Sequence, residues 1–288
     1  MTDCLKIYAC GGQTTEKMLA AIHDPHIPSV RLVDLCGQHL ISSNLLTSLV
    51  SKVGDAGKEF QWEVPPLYGR EHDSFSTCLQ ALQNQTKENG SKFKMVVNDL
   101  GVLQSAFEVG VPFIIGRALN KSFLRLPEGE RLGAGPWMTL DAVLGFLPDG
   151  PPALPWSDAF SLSYLRNKGL AGCDVDGEPS LLKAALQELE SSGLDIYLHS
   201  DDIFSATGRH CLYQTLFRQC RPNQCSEPTF EFQYEQNGGK TDNAQWYETT
   251  FHTRGKTVFR SGAKPAELSE NTRVKIIQGL EKVGGESV

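Results

Sequence analysis

No stretch of this 288-residue chain approaches the roughly 20 consecutive apolar residues that carry a helix across a bilayer. The start, from Met1 to Cys10, lacks a charged region followed by an apolar core and a small-residue cleavage site, so no secretory leader is read there. Excess basic charge is missing as well: 27 Lys and Arg stand against 34 Asp and Glu, for a net charge of -7. Surfaces that coat nucleic acid generally need a basic patch, so general DNA binding is not expected, while a local basic pocket is compatible with these totals. The chain also has no internal repeat and no low-complexity tract. A G-x-S-x-G nucleophile elbow is absent, and so is the H-E-x-x-H pair of a zincin. The Gly11-Gly12 pair is too little for a phosphate loop. These absences lead to the expectation of a cytoplasmic globular protein without a membrane span.

Cysteine, by contrast, is plentiful. Eight are present, and three of them, Cys211, Cys220 and Cys225, fall within fifteen residues in a C-x8-C-x4-C pattern. In a reducing compartment such a group is better explained by a metal or cluster than by disulfides. The spacing is not that of a zinc knuckle, whose paired cysteines stand two to four residues apart. Three thiolates also leave one ligand to be supplied from elsewhere in the chain. A lone cysteine elsewhere is commonly a small buried hydrophobe, and Cys4, Cys78 and Cys173 are read that way. Cys10, before Gly11-Gly12, is read either as part of a tight turn or as a spare ligand.

With 40% hydrophobic and 21% charged residues the chain can bury a large core. Its length suits one α/β barrel of about 250 residues. Strand and helix signals alternate from the start: strands over 5–9, 29–35, 60–64, 93–97 and 112–115, with helices over 15–22, 45–53, 75–89 and 102–108 between them. A Pro- and Gly-rich excursion over 121–156 interrupts this rhythm. It resumes with a helix over 158–168, a strand over 171–176, a helix over 179–191 and a strand over 195–199. Such alternation predicts parallel strands joined by right-handed crossovers. The fold expected is α/β, a (β/α) TIM-like barrel, complete or distorted, over 1–228. After Pro228 the texture turns antiparallel, with strand signals over 230–234, 246–253 and 257–260. Residues 229–288 are read as a β-rich segment packed on the barrel.

Barrel chemistry sits where strands end and loops converge. Cys10, Cys36, Asn98-Asp99, Gly116-Arg117 with Asn120, and His210-Cys211 all fall at such ends in this reading. If the barrel closes, Cys36 can meet Cys211, Cys220 and Cys225 to complete a four-thiolate site, which would hold zinc or an iron–sulfur cluster. Asn98-Asp99 reads first as a turn and helix cap, and Arg117 as a surface pair or as a clamp for a carboxylate. His199-Ser200-Asp201 has the vocabulary of a catalytic triad, but triads are defined by geometry and not by adjacency.

The segment Val96-Val97-Asn98-Asp99-Leu100-Gly101-Val102-Leu103, followed by Pro112 to Asn120 with its Gly116-Arg117-Ala118-Leu119-Asn120, resembles the core of the peptidase U32 (collagenase-like) family. The unit from Phe160 through Gly169 to Asp176, and Gly208-Arg209-His210-Cys211 after a strand, are similar to further motifs of that family. Together these cover most of residues 5–228. Within the family the chain is most similar to the iron–sulfur branch that acts in oxygen-independent ubiquinone hydroxylation. Its cysteine spacing differs there: the first gap is shorter and the last slightly longer.

The resemblance implies a [4Fe–4S] cluster on Cys36, Cys211, Cys220 and Cys225. It implies work in or with hydroxylation of a small aromatic ring or an RNA base, and a homologous U32-type subunit as partner. Asp99, Arg117 and Asn120 would then be catalytic residues lining the barrel mouth. Two other readings compete. One is a U32-type peptidase or hydrolase, which needs an activated nucleophile or a metal-bound water. The other is a non-catalytic subunit whose four-cysteine site is structural.

Overall fold

A computed structural model describes residues 3–8, 14–33, 42–69, 71–89, 92–119, 159–176, 193–199, 202–207, 231–232, 251–254, 257–261 and 274–279. Eight parallel strands close into a barrel. In chain order they are β1 (Cys4–Tyr8), β2 (Ser29–Val33), β3 (Glu59–Val64), β4 (Phe93–Val97), β5 (Phe113–Ile115), β6 (Leu170–Asp176), β7 (Asp195–His199) and, last, β12 (Val274–Gly279). Helices α1 (Thr14–His23), α2 (Ser43–Asp55), α3 (Glu71–Asn89), α4 (Leu100–Val109) and α5 (Ala159–Asn167) lie between strands, as the (β/α) barrel expectation requires. Among the described residues no helix is long and apolar enough to cross a membrane.

Local chemistry sets the helix ends. The Ser42 side chain accepts a hydrogen bond from Leu45 N at 3.4 Å and so caps α2. Leu46, Leu49, Val50 and Val53, at spacings of three and four, turn one face of that helix into the core. Asp99 caps α4, and Gly110 ends it in the left-handed region at φ 71, where a side chain would be strained.

Alternation along the strands divides the apolar residues into two sets. Leu5, Ile7, Val30, Leu32, Phe60, Trp62, Met95, Phe113, Ile115, Cys173, Val175, Ile196 and Leu198 belong to the large core shared with the helices. Trp62 there packs on Phe75 of α3, with ring centroids 5.7 Å apart. Burying a large apolar side chain of this kind contributes about 1.5–3 kcal/mol. Cys4, Val96, Ile114, Tyr197 and Ile277 form a separate small cluster. They come from strands on opposite sides of the barrel, so they meet across its lumen. Cys4, Cys78 and Cys173 are buried and carry free thiols, as read from the sequence.

The barrel closes through its first and last strands. Cys4 pairs with Ile277, Asp3 N donates to Ile276 O at 3.1 Å, and Ile276 N donates to Asp3 Oδ2 at 2.9 Å. The eighth strand therefore comes from within 229–288, beyond the boundary at 228 suggested by the sequence. Between β7 and β12 the chain makes a second, antiparallel sheet of β8 (Asp202–Thr207), β9 (Glu231–Phe232), β10 (Phe251–Arg254) and β11 (Thr257–Ser261), in the order β8-β11-β10-β9.

Candidate functional site in the barrel lumen

Parallel barrel strands buried on both faces ordinarily read as continuous apolar runs. Here charged and polar side chains recur at alternate positions: Lys6 in β1, Arg31 in β2, Glu59, Gln61 and Glu63 in β3, Asp174 and Asp176 in β6, Asp195 and His199 in β7. Because the flanking residues face the helices, these side chains face inward. The lumen is polar at both ends, with the small apolar cluster and Gln61 between.

At the N-terminal end the charges plug the barrel. Lys94 Nζ lies 2.7 Å from Glu59 and 3.5 Å from Asp195, and Lys275 Nζ lies 2.7 Å from Asp195. Tyr197 joins them, its hydroxyl accepting from Lys94 at 3.2 Å and donating to Glu59 at 3.4 Å. Burial and the neighbouring Glu59 and Asp195 carboxylates hold the Tyr197 phenol protonated, its pKa raised above the usual range. Burial would raise the Glu59 and Asp195 carboxyls, yet the lysines outweigh it and hold both below their ordinary range. Cys4, above this plug, accepts from Ser29 Oγ at 3.5 Å. Burial pushes its thiol up to about 11, so it stays a protonated, unreactive group.

Toward the C-terminal end, where barrel chemistry gathers, Arg31 is the centre. Its Nε donates to Gln61 Oε1 at 2.8 Å, and its Nη1 lies 2.6 Å from Asp174 Oδ2 and 3.4 Å from Glu63 Oε2. Burial opposes the guanidinium charge, but Asp174 and Glu63 overcome this and hold its pKa above the ordinary value. His199, only 1% exposed, places Nε2 3.1 Å from the same Asp174 Oδ2 and 3.4 Å from Arg31 Nη1. The carboxylate contact is the closer one, which assigns the ring proton to Nε2 and leaves Nδ1 a lone pair. Burial, with the cations of Arg117, Lys6 and Arg31, pushes the His199 pKa well below its usual value against the pull of Glu63, so the imidazole is neutral. One strand along, Arg117 Nη1 donates to Asp176 Oδ1 at 3.2 Å, and its guanidinium stacks over the Phe259 ring of β11 at 5.0 Å.

Of the positions marked in the sequence, the structure describes Asn98, Asp99, Gly116, Arg117 and His199. Asp99 is a cap: Oδ1 accepts from Val102 N at 2.9 Å and Oδ2 from Leu67 N at 2.8 Å. Burial raises its pKa while those backbone donors oppose the rise. Arg117 has an internal carboxylate partner in Asp176. Asn98, the other half of the Asn-Asp pair, ties the β4 end to the β5 end. Its Nδ2 donates to Val64 O at 3.1 Å, and its Oδ1 accepts from Ala118 N at 3.1 Å. The two motif segments thus meet in space. Cys10, Cys36, Asn120, Cys211, Cys220 and Cys225 lie outside the described residues. Among the described residues no group of three or more His, Cys, Asp or Glu side chains is arranged to hold a metal ion.

Sequence reading noted His199 only within His199-Ser200-Asp201 and missed the group it forms with Arg31, Glu63 and Asp174. The signal was present as charge at every second position of otherwise apolar strands, and it acquires meaning only once the sheet closes. No protein-family model matches the chain, and no curated protein sequence matches it.

Proposed function

We propose that this chain is a U32-type barrel protein that takes part, with a homologous partner subunit, in an oxygen-independent hydroxylation of a small aromatic ring or an RNA base. In this reading Cys36, Cys211, Cys220 and Cys225 hold a [4Fe–4S] cluster at the barrel mouth. The motif resemblance motivates it, and one observation carries it furthest: the barrel is closed, so the ends of β2 and β7 open onto one rim. Cys36 follows the last residue of β2, Val33, by three positions, and the other three cysteines follow β7 within the insertion before β12. Four thiolates suit such a cluster, and they suit zinc equally in number. When bound, a cluster supplies one-electron transfer.

The chain's own groups then have distinct parts. Asn98 holds the β4 and β5 ends together beneath the rim, and Asp99 caps α4 and ties it to Leu67 after β3. Arg117, anchored by Asp176, and Asn120 are the substrate-facing candidates after β5. A hydrolase reading is less well supported, since His199 Nδ1 has no hydroxyl or thiol hydrogen-bonded to it among the described residues.

Anaerobic purification with iron, sulfide and zinc analysis tests the reading. About four irons per chain and a broad absorption near roughly 400 nm are expected for a thiolate-bound cluster. Zinc alone would overturn the cluster. A Cys36→Ala chain that keeps its full complement of iron would remove Cys36 from the ligand set.

A further inference from the structure

Among the described residues the mouth side of the lumen is electrically even, and two of its buried nitrogens are not hydrogen-bonded. Three cations, Lys6, Arg31 and Arg117, share it with three carboxylates, Glu63, Asp174 and Asp176, and all six are at most 9% exposed. Two nitrogens within it, Arg31 Nη2 and His199 Nδ1, have no hydrogen-bond partner among the described residues. Leaving such a buried group unsatisfied costs about 1–3 kcal/mol, and native interiors answer it with water or a ligand. The two atoms are complementary in kind. Nη2 can only donate, and Nδ1, with the proton on Nε2 facing Asp174, can only accept.

A group that answers both must accept and donate without importing charge, because an anion would upset the even balance and face three carboxylates. A hydroxyl can do both, and the two groups stand side by side, with Arg31 Nη1 3.4 Å from His199 Nε2. We infer that the mouth-side lumen is a binding and proton-transfer site for a neutral compound bearing a weakly acidic hydroxyl, such as a phenol or an enol. His199 is its general base, Arg31 the donor to its oxygen, and Asp174 a positioning residue.

In the step, the substrate O–H bond breaks and its proton forms the Nδ1–H bond of His199. The electron pair stays on oxygen, which accepts from Arg31 Nη2. The imidazolium keeps its Nε2–H on Asp174 Oδ2, now a charge-assisted bond. Oxyanion and imidazolium cancel, so the site remains even, and no oxidant or reductant is consumed. The groups facing His199 explain the selectivity. Arg117, Lys6 and Arg31 disfavour a lone imidazolium while Glu63 and Asp174 favour one, so the ring accepts a proton when an oxyanion forms beside it. This site stands independently of any cluster at the rim.

The probe is 4-nitrophenol, whose phenolate and neutral forms absorb at different wavelengths. It is added to the full chain at a pH below its own ionisation and followed by difference absorption. A saturable phenolate band is expected. Displacement by 4-nitroanisole, which cannot donate a proton, should be at least about tenfold weaker than by unlabelled phenol, the loss expected for one hydrogen bond. His199→Gln should abolish the phenolate band. Asp174→Asn should lower the bound phenolate fraction, and an unchanged fraction removes Asp174 from its positioning part. Failure to bind, binding only as the neutral phenol, or equal displacement by 4-nitroanisole overturns the site. Should His199→Gln not fold by circular dichroism, the comparison of the two competitors on the unaltered chain decides.

Discussion

A Cβ added to Gly116 would lie 2.6 Å from Asn98 Cγ, inside any permitted contact distance. The glycine is there because the Asn98 carboxamide occupies that space while bridging Val64 and Ala118. Gly116→Ala must therefore displace the bridge. A loss of about 1–3 kcal/mol, the usual cost of overpacking, is expected in urea unfolding. An unchanged midpoint and slope would show that the bridge moves aside freely.

Asp99 is tested by separating capping from chemistry. Asp99→Ala removes acceptors for both Val102 N and Leu67 N and should cost about 1–2 kcal/mol. Asp99→Ser, which can still cap α4, should recover much of that in thermal unfolding. If the serine variant were as unstable as alanine, the Leu67 bond and not the cap would dominate.

The pairing of Arg31 with Asp174 predicts strong coupling. Arg31→Met strands two buried carboxylates, and breaking a buried pair in this way costs about 3–5 kcal/mol. Adding Asp174→Asn should cost much less than it does alone, because the charge it removes is then already unpaired. Double-mutant-cycle unfolding measures this, and simple additivity would mean that the two residues are energetically independent.

His199 makes stability depend on pH. Its folded pKa lies well below the ordinary value near 6.5, so the unfolded chain binds the extra proton between the two values. Stability from this group is whole above about 6.5 and falls as the pH drops below it, by up to about 1.4 kcal/mol per unit. His199→Gln should flatten that part of the curve between pH 7 and 5, measured by urea unfolding. The depressed Glu59 and Asp195 carboxyls lose their contribution at lower pH, in both proteins alike.

Much of the barrel was legible because its strands are short apolar runs with clear stops. β4 and β7 stand where the sequence placed them, and β2, β3, β5 and β6 differ only at their ends. β12 was not legible. Val274-Lys275-Ile276-Ile277-Gln278-Gly279 mixes charge and apolar groups, and the sequence signals before it are those of antiparallel strands. β8 was missed for a related reason, since it begins within three residues of the end of β7. The lumen residues were hidden by the same logic. Lys6 or Asp174 inside a strand suggests a solvent-facing side until closure turns that side inward. Asn98 and Gly116 were noticed as motif members, but their steric dependence on each other is a property of two strand ends 18 positions apart and appears only in three dimensions.

The seam between β1 and β12 also governs when this protein can become itself. Its hydrogen bonds join residues 273 positions apart, almost the whole chain. Such non-local contacts form late, because the intervening loop must be ordered before they repay it. A chain in which β12 has not yet docked would hold seven strands with two open edges and a charged interior facing water. The docking of β12, and not the finishing of any inner strand, is the event that closes the lumen and brings its buried ion pairs into being.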